Sequence, residues 1–190
     1  LTTESVLPGI SFVLPRVKGR RSYALDLGCG SGRDAAWLAS KGFEVFGVDA
    51  STEMLKNAND QNMVLKKGRL HTIPEMKTMY ILDEMPDLKV MSRLRVDGGL
   101  SYDFYLMSAA WMHLDEPERA KMIDTMNEWA RPDATAYISL RHGPSPADRP
   151  MFPTSVEEVQ DLASKLGAKT KVLPAMADQQ GRGDVTWDYV

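Results

Sequence analysis

The chain has 190 residues, enough for one domain with a substantial core and too few for two ordinary domains. Its hydrophobic content of 43% and charged content of 26% are typical of globular proteins. The net charge of −3 provides no basic surface for a polyanion, so composition does not favour a nucleic-acid partner.

Cysteine content and hydropathy predict the compartment. The single cysteine, Cys29, excludes an internal disulfide and fits a reducing environment, so we expect a cytoplasmic protein. The sequence contains neither a signal peptide nor an apolar run long enough to span a bilayer, so no membrane partner is expected. Because the chain starts at Leu1 and stops at Val190 inside a predicted strand, we expect a piece of a longer protein.

Strands and helices alternate along the chain, which predicts an α/β fold with a mostly parallel sheet. We expect one domain over residues 1–190, with residues 1–21 as a short helix or an extended lead-in. Capping residues and terminal glycines mark the helix ends. The predicted strands are Tyr23–Leu27, Glu44–Val48, Thr78–Leu82, Tyr102–Ser108, Thr135–Leu140, Lys169–Leu173 and Asp184–Val190; the predicted helices are Arg33–Lys41, Thr52–Lys67, Pro86–Leu94, Asp115–Ala130 and a last one capped by Thr154 or Ser155 and ended by Gly167.

Residues 24–51, ALDLGCGSGRDAAWLASKGFEVFGVDAS, read as strand, glycine-rich turn, helix and strand. A P-loop is excluded because no Lys-Ser or Lys-Thr follows the last glycine. The dinucleotide fingerprint requires Gly or Ala at its sixth position, which is Arg33 here, and the glycines are instead Gly28, Gly30 and Gly32. The unit therefore predicts a different nucleoside ligand.

Two acidic residues narrow the choice of ligand. Asp26, two residues before the glycine turn, would repel a pyrophosphate at the helix N-terminus and would attract a cation. Asp49, at the end of the second strand, is placed to accept hydrogen bonds from two ribose hydroxyls. S-adenosylmethionine meets these requirements, because it has a ribose, a sulfonium and an ammonium group.

The run DLGCGSG (residues 26–32), followed by Asp49, resembles motif I and the next acidic residue of class I S-adenosylmethionine-dependent methyltransferases. The resemblance covers roughly residues 23–190, and AWMHLDEPER and ISLRHGP are similar to a bacterial subgroup of small methyltransferases. It implies a Rossmann-like three-layer αβα sandwich with a seven-stranded, mostly parallel sheet and an antiparallel last strand. Such enzymes usually carry a helix before the first strand that closes the cofactor site, and the short lead-in here implies a short or missing lid.

The same resemblance assigns the cofactor contacts. On the residues alone, Asp83 also fits a solvated loop acid, and Met54 also fits a core position. The glycines by themselves also fit a simple tight turn. The implied cofactor-binding residues are Asp26, Gly28, Cys29, Gly30 and Gly32 around the methionine part, Asp49 at the ribose, Ala50, Met54 and Asp83 around the adenine, and Ser108 and Ala109 on the methionine side.

Catalytic candidates follow the fourth and fifth predicted strands, where ligands of open α/β sheets bind. His113 and His142 are predicted to lie near the methyl group, where an imidazole can accept a proton at neutral pH; the alternatives are a helix cap and a brace for a proline loop. Trp111 is expected to wall the acceptor pocket or to pack under the loop. Arg141 is expected to hold an anionic substrate group, with a surface salt bridge as the alternative. No metal site is predicted.

Together these features predict a methyltransferase that uses S-adenosylmethionine and modifies an oxygen, nitrogen or sulfur atom of a small molecule. An RNA or protein methyltransferase is the first alternative; the acidic balance and the lack of an N/D-P-P-Y-type motif argue against it. A non-catalytic module that binds the cofactor without turnover is the second alternative.

Overall fold

The computed structural model describes residues 1–15, 19–62, 64–66, 69–71, 78–147 and 149–190. Strands and helices alternate, as predicted. The strands are β1 (Tyr23–Leu27), β2 (Glu44–Asp49), β3 (Val64–Lys66), β4 (Arg69–His71), β5 (Thr78–Leu82), β6 (Tyr102–Met107), β7 (Ala130–His142), β8 (Leu173–Ala177) and β9 (Thr186–Tyr189); the helices are α1 (Thr3–Val6), α2 (Ile10–Val13), α3 (Arg33–Ser40), α4 (Thr52–Asn62), α5 (Lys89–Gly98), α6 (Glu116–Trp129) and α7 (Val156–Lys165), with a 3-10 turn at Trp111–His113.

Seven strands form one sheet in the order β5-β2-β1-β6-β7-β9-β8. β1 pairs in parallel with both β2 and β6, so the strand order reverses at β1, while β9 runs antiparallel between β7 and β8. This confirms the predicted Rossmann-like fold with an antiparallel last strand. The reversal places the carboxyl ends of β1, β2 and β6 side by side, where open α/β sheets bind their ligands.

Alternation along β1 assigns its side chains to the two faces of the sheet. Leu25 and Leu27 pack into the core under α5, α6 and α7, whereas Ala24 packs into the core under α1, α2 and α3. Asp26 therefore lies on the α1–α3 face, next to the glycine turn. No helix within the described ranges combines the length and the apolarity needed to cross a bilayer.

The structure corrects the predicted helix Thr52–Lys67. The helix ends at Asn62, and Val64–Lys66 pairs antiparallel with Arg69–His71. Residues 57–62 are rich in Asn and Asp, which are weak helix formers, and the following Val-Leu pair favours a strand. The predicted terminator, Gly68, lies outside the described residues.

Two strands near the end of the chain also differ from their predicted ranges. β7 begins at Ala130 rather than Thr135, because Ala130 pairs with Tyr102 and an irregularity follows before Thr135 pairs with Phe104. The strand predicted at Lys169–Leu173 lies instead at Leu173–Ala177. Pro174 reads as a terminator in sequence, but this strand is at the edge of the sheet, where proline is tolerated.

Candidate active site

The glycine turn between β1 and α3 is fixed to the end of β2. The amides of Gly28 and Cys29 both donate to the Val48 carbonyl, at 2.8 and 2.9 Å, and the Gly30 amide donates to Asp49 Oδ2 at 2.8 Å. Gly30 has a φ of +53°, and a Cβ added there would meet nothing within 4 Å. The turn therefore presents backbone to open space, as close approach of a ligand requires.

Asp26 is a buried acid without a counterion of its own. It is 1% exposed, and neither carboxylate oxygen has a hydrogen-bond partner among the described residues. Burial raises the pKa of Asp26 well above its usual value; Asp34 and Asp49 act in the same direction, while Arg33 opposes them. A cation bound in front of the turn would offset this unfavourable burial, and the ammonium of S-adenosylmethionine has the required charge.

Asp49 ends β2 with its carboxylate oriented by two backbone amides. Oδ2 accepts from Gly30, and Oδ1 accepts from Ser51 at 2.8 Å. A carboxylate oxygen has two lone-pair sites, so each oxygen keeps one for a further donor. This arrangement fits the two hydroxyls of a ribose.

Apolar side chains are exposed beside Asp49, on the side where an adenine is expected. Ala50 is exposed, Met54 is 45% exposed, and Leu82 at the end of β5 is 52% exposed. Sequence reasoning missed Leu82; the signal was its apolar character directly before Asp83. These side chains offer surfaces on which a flat base can pack.

Asp83 has a structural task that sequence reasoning did not anticipate. Its Oδ1 accepts from the amide of Glu84 at 3.0 Å, and its Oδ2 accepts from the amides of Val90 and Met91 at 2.8 Å. The carboxylate thus caps the start of α5. Its predicted contact with the adenine amino group has to share the carboxylate with these three donors.

Ser108 and Ala109 lie at the carboxyl end of β6 and line a cavity of about 70 Å³. Ala109 has a φ of +54°, an uncommon conformation for a residue other than glycine, and its amide donates to Ser139 Oγ at 2.8 Å. Strain of this kind clusters at functional sites. Sequence reasoning did not find the rest of the wall: Val6, Leu7, Arg33, Ser139, Asp178, Gln179, Gln180, Arg182, Trp187 and Tyr189.

The lead-in packs against α3 and the sheet, and its residues Val6 and Leu7 form part of the cavity wall. Thr3 Oγ1 donates to Asp34 Oδ1 at 2.7 Å, which ties α1 to the first turn of α3. Tyr189 Oη donates to the Val6 carbonyl at 3.0 Å, and Tyr137 Oη donates to the Pro8 carbonyl at 2.9 Å. These bonds hold the end of the lead-in against the cavity.

The two predicted catalytic histidines lie in different environments. His113 Nδ1 is 3.3 Å from the Pro150 carbonyl, and burial, followed by the charges of Arg149 and Arg141, lowers the pKa of His113. His142 Nε2 lies 2.9 Å from Asp188 Oδ2. Along β7, His142 shares the α6–α7 face with Leu140, opposite Ser139, so its position gives the predicted catalytic role no support.

Trp111 does not wall the cavity as predicted. Its side chain is fully buried in the core under α5, α6 and α7, and the Arg119 guanidinium lies 5.8 Å from its ring centroid. The indole buries a large apolar area under the loop, while its Nε1 has no hydrogen-bond partner among the described residues. Trp111 is thus in the second of the two positions expected from the sequence and is not among the residues that line the cavity.

Two further features of the described residues bear on the site. A larger cavity of about 270 Å³ lies at the amino end of β7, against α6 and α7, and it is lined by none of the predicted site residues. Among the described residues, no group of three or more His, Cys, Asp or Glu side chains is arranged to hold a metal ion. Of the predicted site residues, Ser108 and Ala109 line the smaller cavity at the carboxyl ends of the strands, whereas Trp111 lies in the core and His142 on the opposite face.

Comparisons with known proteins agree with this geometry. Residues 24–133 match the methyltransferase domain family, and no curated protein matches the chain significantly. An S-adenosylmethionine-dependent methyltransferase of Methanosarcina mazei has a TM-score of 0.65 at 16% identity, covering 96% of this chain and 95% of that one.

Two further solved structures are similar. The 1,6-didemethyltoxoflavin-N1-methyltransferase of Burkholderia thailandensis, with S-adenosylhomocysteine bound, has a TM-score of 0.64 at 17% identity over 98% of this chain and 78% of that one. The magnesium protoporphyrin IX methyltransferase of Synechocystis, with S-adenosylmethionine bound, has a TM-score of 0.58 at 18% identity, covering 89% of this chain and 69% of that one. These identities show a shared fold. Because the family match covers more than half of the chain and includes the glycine turn and Asp49, the chain belongs to the methyltransferase domain family, whose members bind S-adenosylmethionine.

Proposed function

We propose that this methyltransferase transfers the methyl group of S-adenosylmethionine to an oxygen, nitrogen or sulfur atom of a small molecule. The observation that supports this is the cavity of about 70 Å³ beside Ser108 and Ala109. The end of α1 and the β8–β9 loop (residues 178–185) contribute to its walls. A space of this size accepts a small acceptor group.

The residues around the turn have separate tasks in this proposal. Asp49 accepts hydrogen bonds from the ribose, and the Gly30 backbone lies against the ligand. Asp26 faces the ammonium group, whose charge favours the ionised carboxylate. S-adenosylmethionine supplies the activated methyl group, and the protein supplies position and electrostatics.

The acceptor has to be aligned with the methyl group and shielded from water. Val6 and Leu7 form an apolar part of the cavity wall and help to exclude water. Where the acceptor atom carries a proton, His113 is the candidate base, because its lowered pKa keeps the imidazole neutral at pH 7. The tautomer that donates from Nδ1 to the Pro150 carbonyl leaves Nε2 as the accepting nitrogen.

The test is a screen for S-adenosylhomocysteine release across small phenols, amines and thiols, with RNA and peptide pools as parallel arms. Binding of S-adenosylhomocysteine is measured separately by calorimetry. Turnover on a small acceptor supports the proposal. Turnover confined to RNA or peptide replaces it with the first alternative, and tight binding with no turnover in any arm replaces it with a binding module.

A further inference from the structure

Arg141 is a buried cation with weak partners. The residue is 8% exposed, and its Nε is buried without a hydrogen-bond partner among the described residues. Its Nη1 contacts the Gly143 carbonyl and Met151 Sδ, each at 3.4 Å. Thioether sulfur is a weak acceptor, and neither contact carries a negative charge. Burying a guanidinium without an anion is unfavourable, so this arrangement calls for an explanation.

Arg119 shows how the same fold satisfies a buried arginine that serves structure. It is 1% exposed, and its Nη1 pairs with Glu158 Oε2 at 2.9 Å. Its guanidinium also donates to three backbone carbonyl oxygens. Both arginines are buried, but only Arg119 has a carboxylate and a full set of acceptors within the described chain.

The sheet register places Arg141 on the face of β7 that borders the acceptor cavity. Arg141 lies directly opposite Trp187 in the antiparallel pair of β7 and β9, and directly opposed residues project from the same face. Ser139, two residues earlier on β7, shares that face. Trp187 and Ser139 both line the cavity that contains Ala109. Arg141 therefore lies on the same face of the sheet as the space assigned to the acceptor, although its own side chain is not among those that line the cavity.

We propose that the acceptor carries an anionic oxygen group, a carboxylate or a phosphate, which pairs with Arg141. This inference rests on the proposed function and names its substrate class. The planar guanidinium donates two parallel hydrogen bonds to such a group. A neutral analogue leaves the guanidinium unpaired, so the site discriminates against it.

The test measures thermal unfolding in saturating S-adenosylhomocysteine while benzoate, phenyl phosphate or the neutral isostere benzamide is titrated at constant ionic strength. The variant is Arg141→Met, and the control is Arg93→Met, which removes the same charge from an exposed position on α5. We expect benzoate or phenyl phosphate to raise the Tm of the wild type and of Arg93→Met by about 3–6 °C at ten times Kd. We expect no shift with Arg141→Met, and none with benzamide in any protein. Comparing the Tm shifts with benzoate and with phenyl phosphate shows whether the site recognises a carboxylate or a phosphate.

The ligand-free variants provide a second readout. Arg141→Met is expected to be at least as stable as the wild type, because it removes an uncompensated buried cation, whereas Arg119→Met should lower the Tm. Asp148, the acidic residue nearest in sequence, lies outside the described residues, so Asp148→Asn tests for an internal counterion. A fall in Tm with both Arg141→Met and Asp148→Asn overturns the proposal. The proposal is also overturned if neither anion raises the Tm of the wild type, or if an anion raises the Tm of Arg141→Met as well.

Calorimetry separates this inference from the proposed function. If the wild type binds S-adenosylhomocysteine but no anion raises its Tm, the proposal of an anionic acceptor is refuted and the proposed function is not. Wild type that does not bind S-adenosylhomocysteine refutes the proposed function itself.

Discussion

Gly30→Ala separates a ligand-binding glycine from one that only shapes the backbone, because the chain offers a matched control. Gly30 and Gly99 have φ values of +53° and +61°, and a Cβ at either position would meet nothing within 4 Å. Alanine at either position costs about 1–2 kcal/mol of backbone strain. At about 2–4 °C per kcal/mol for a chain of this size, both variants should lose roughly 2–8 °C in Tm.

Only Gly30→Ala should also weaken cofactor binding. The added methyl group enters the space that the ligand requires, and overpacking of this kind costs about 1–3 kcal/mol. That cost corresponds to a loss of about 5- to 150-fold in affinity for S-adenosylhomocysteine, which calorimetry measures. Gly99→Ala should bind as the wild type does. Equal affinities for the two variants would show that the turn does not contact the ligand.

Four further predictions concern the acids and histidines. Because the raised pKa means that the folded protein binds the Asp26 proton more tightly than the unfolded chain does, the contribution of Asp26 to the free energy of unfolding falls as pH rises above 3.8. Asp26→Asn should therefore raise the Tm at pH 7, with a gain that disappears below pH 3.8 in pH-dependent melts, while calorimetry shows weaker S-adenosylhomocysteine binding. Asp49→Ala should cost about 1.5–3 kcal/mol of that binding; unchanged affinity in calorimetry would refute the ribose contact. With an acceptor in hand, His113→Gln should lower kcat by about 10²–10⁴-fold at constant cofactor affinity. His142→Gln should leave kcat unchanged and cost at most about 1 kcal/mol of stability, since its pair with Asp188 is partly exposed.

The fold and the cofactor end of the site were predictable because their signals are local. A buried parallel strand reads as a short apolar run, and the range predicted for Tyr23–Leu27 is the one observed. The range predicted for the edge strand Thr78–Leu82 is also the one observed. Asp26 and Asp49 end or nearly end their strands, so alternation and strand order alone bring them to one edge of the sheet.

The acceptor end was less predictable because distant segments build it. Tyr189 bonds to the carbonyl of Val6 across 183 residues of sequence, and no local pattern indicates such a contact. The face on which a side chain lies also depends on the register of the strand. Arg141 and His142 are consecutive on β7 and therefore lie on opposite faces: Arg141 is opposite Trp187, whereas the His142 ring contacts Asp188. The sequence left the position of Trp111 open for a related reason, because burial of a residue after a strand is decided by the helices packed over it.

Cys29, the single cysteine of the chain, lies between Gly28 and Gly30, with burial raising the pKa of its thiol. A buried, protonated thiol is a poor nucleophile, so alkylating reagents react only when the turn opens. The rate of Cys29 alkylation in the unmodified protein therefore reports the opening of the turn. The protein thus contains its own probe of how often the cofactor loop leaves its closed arrangement, without an engineered label.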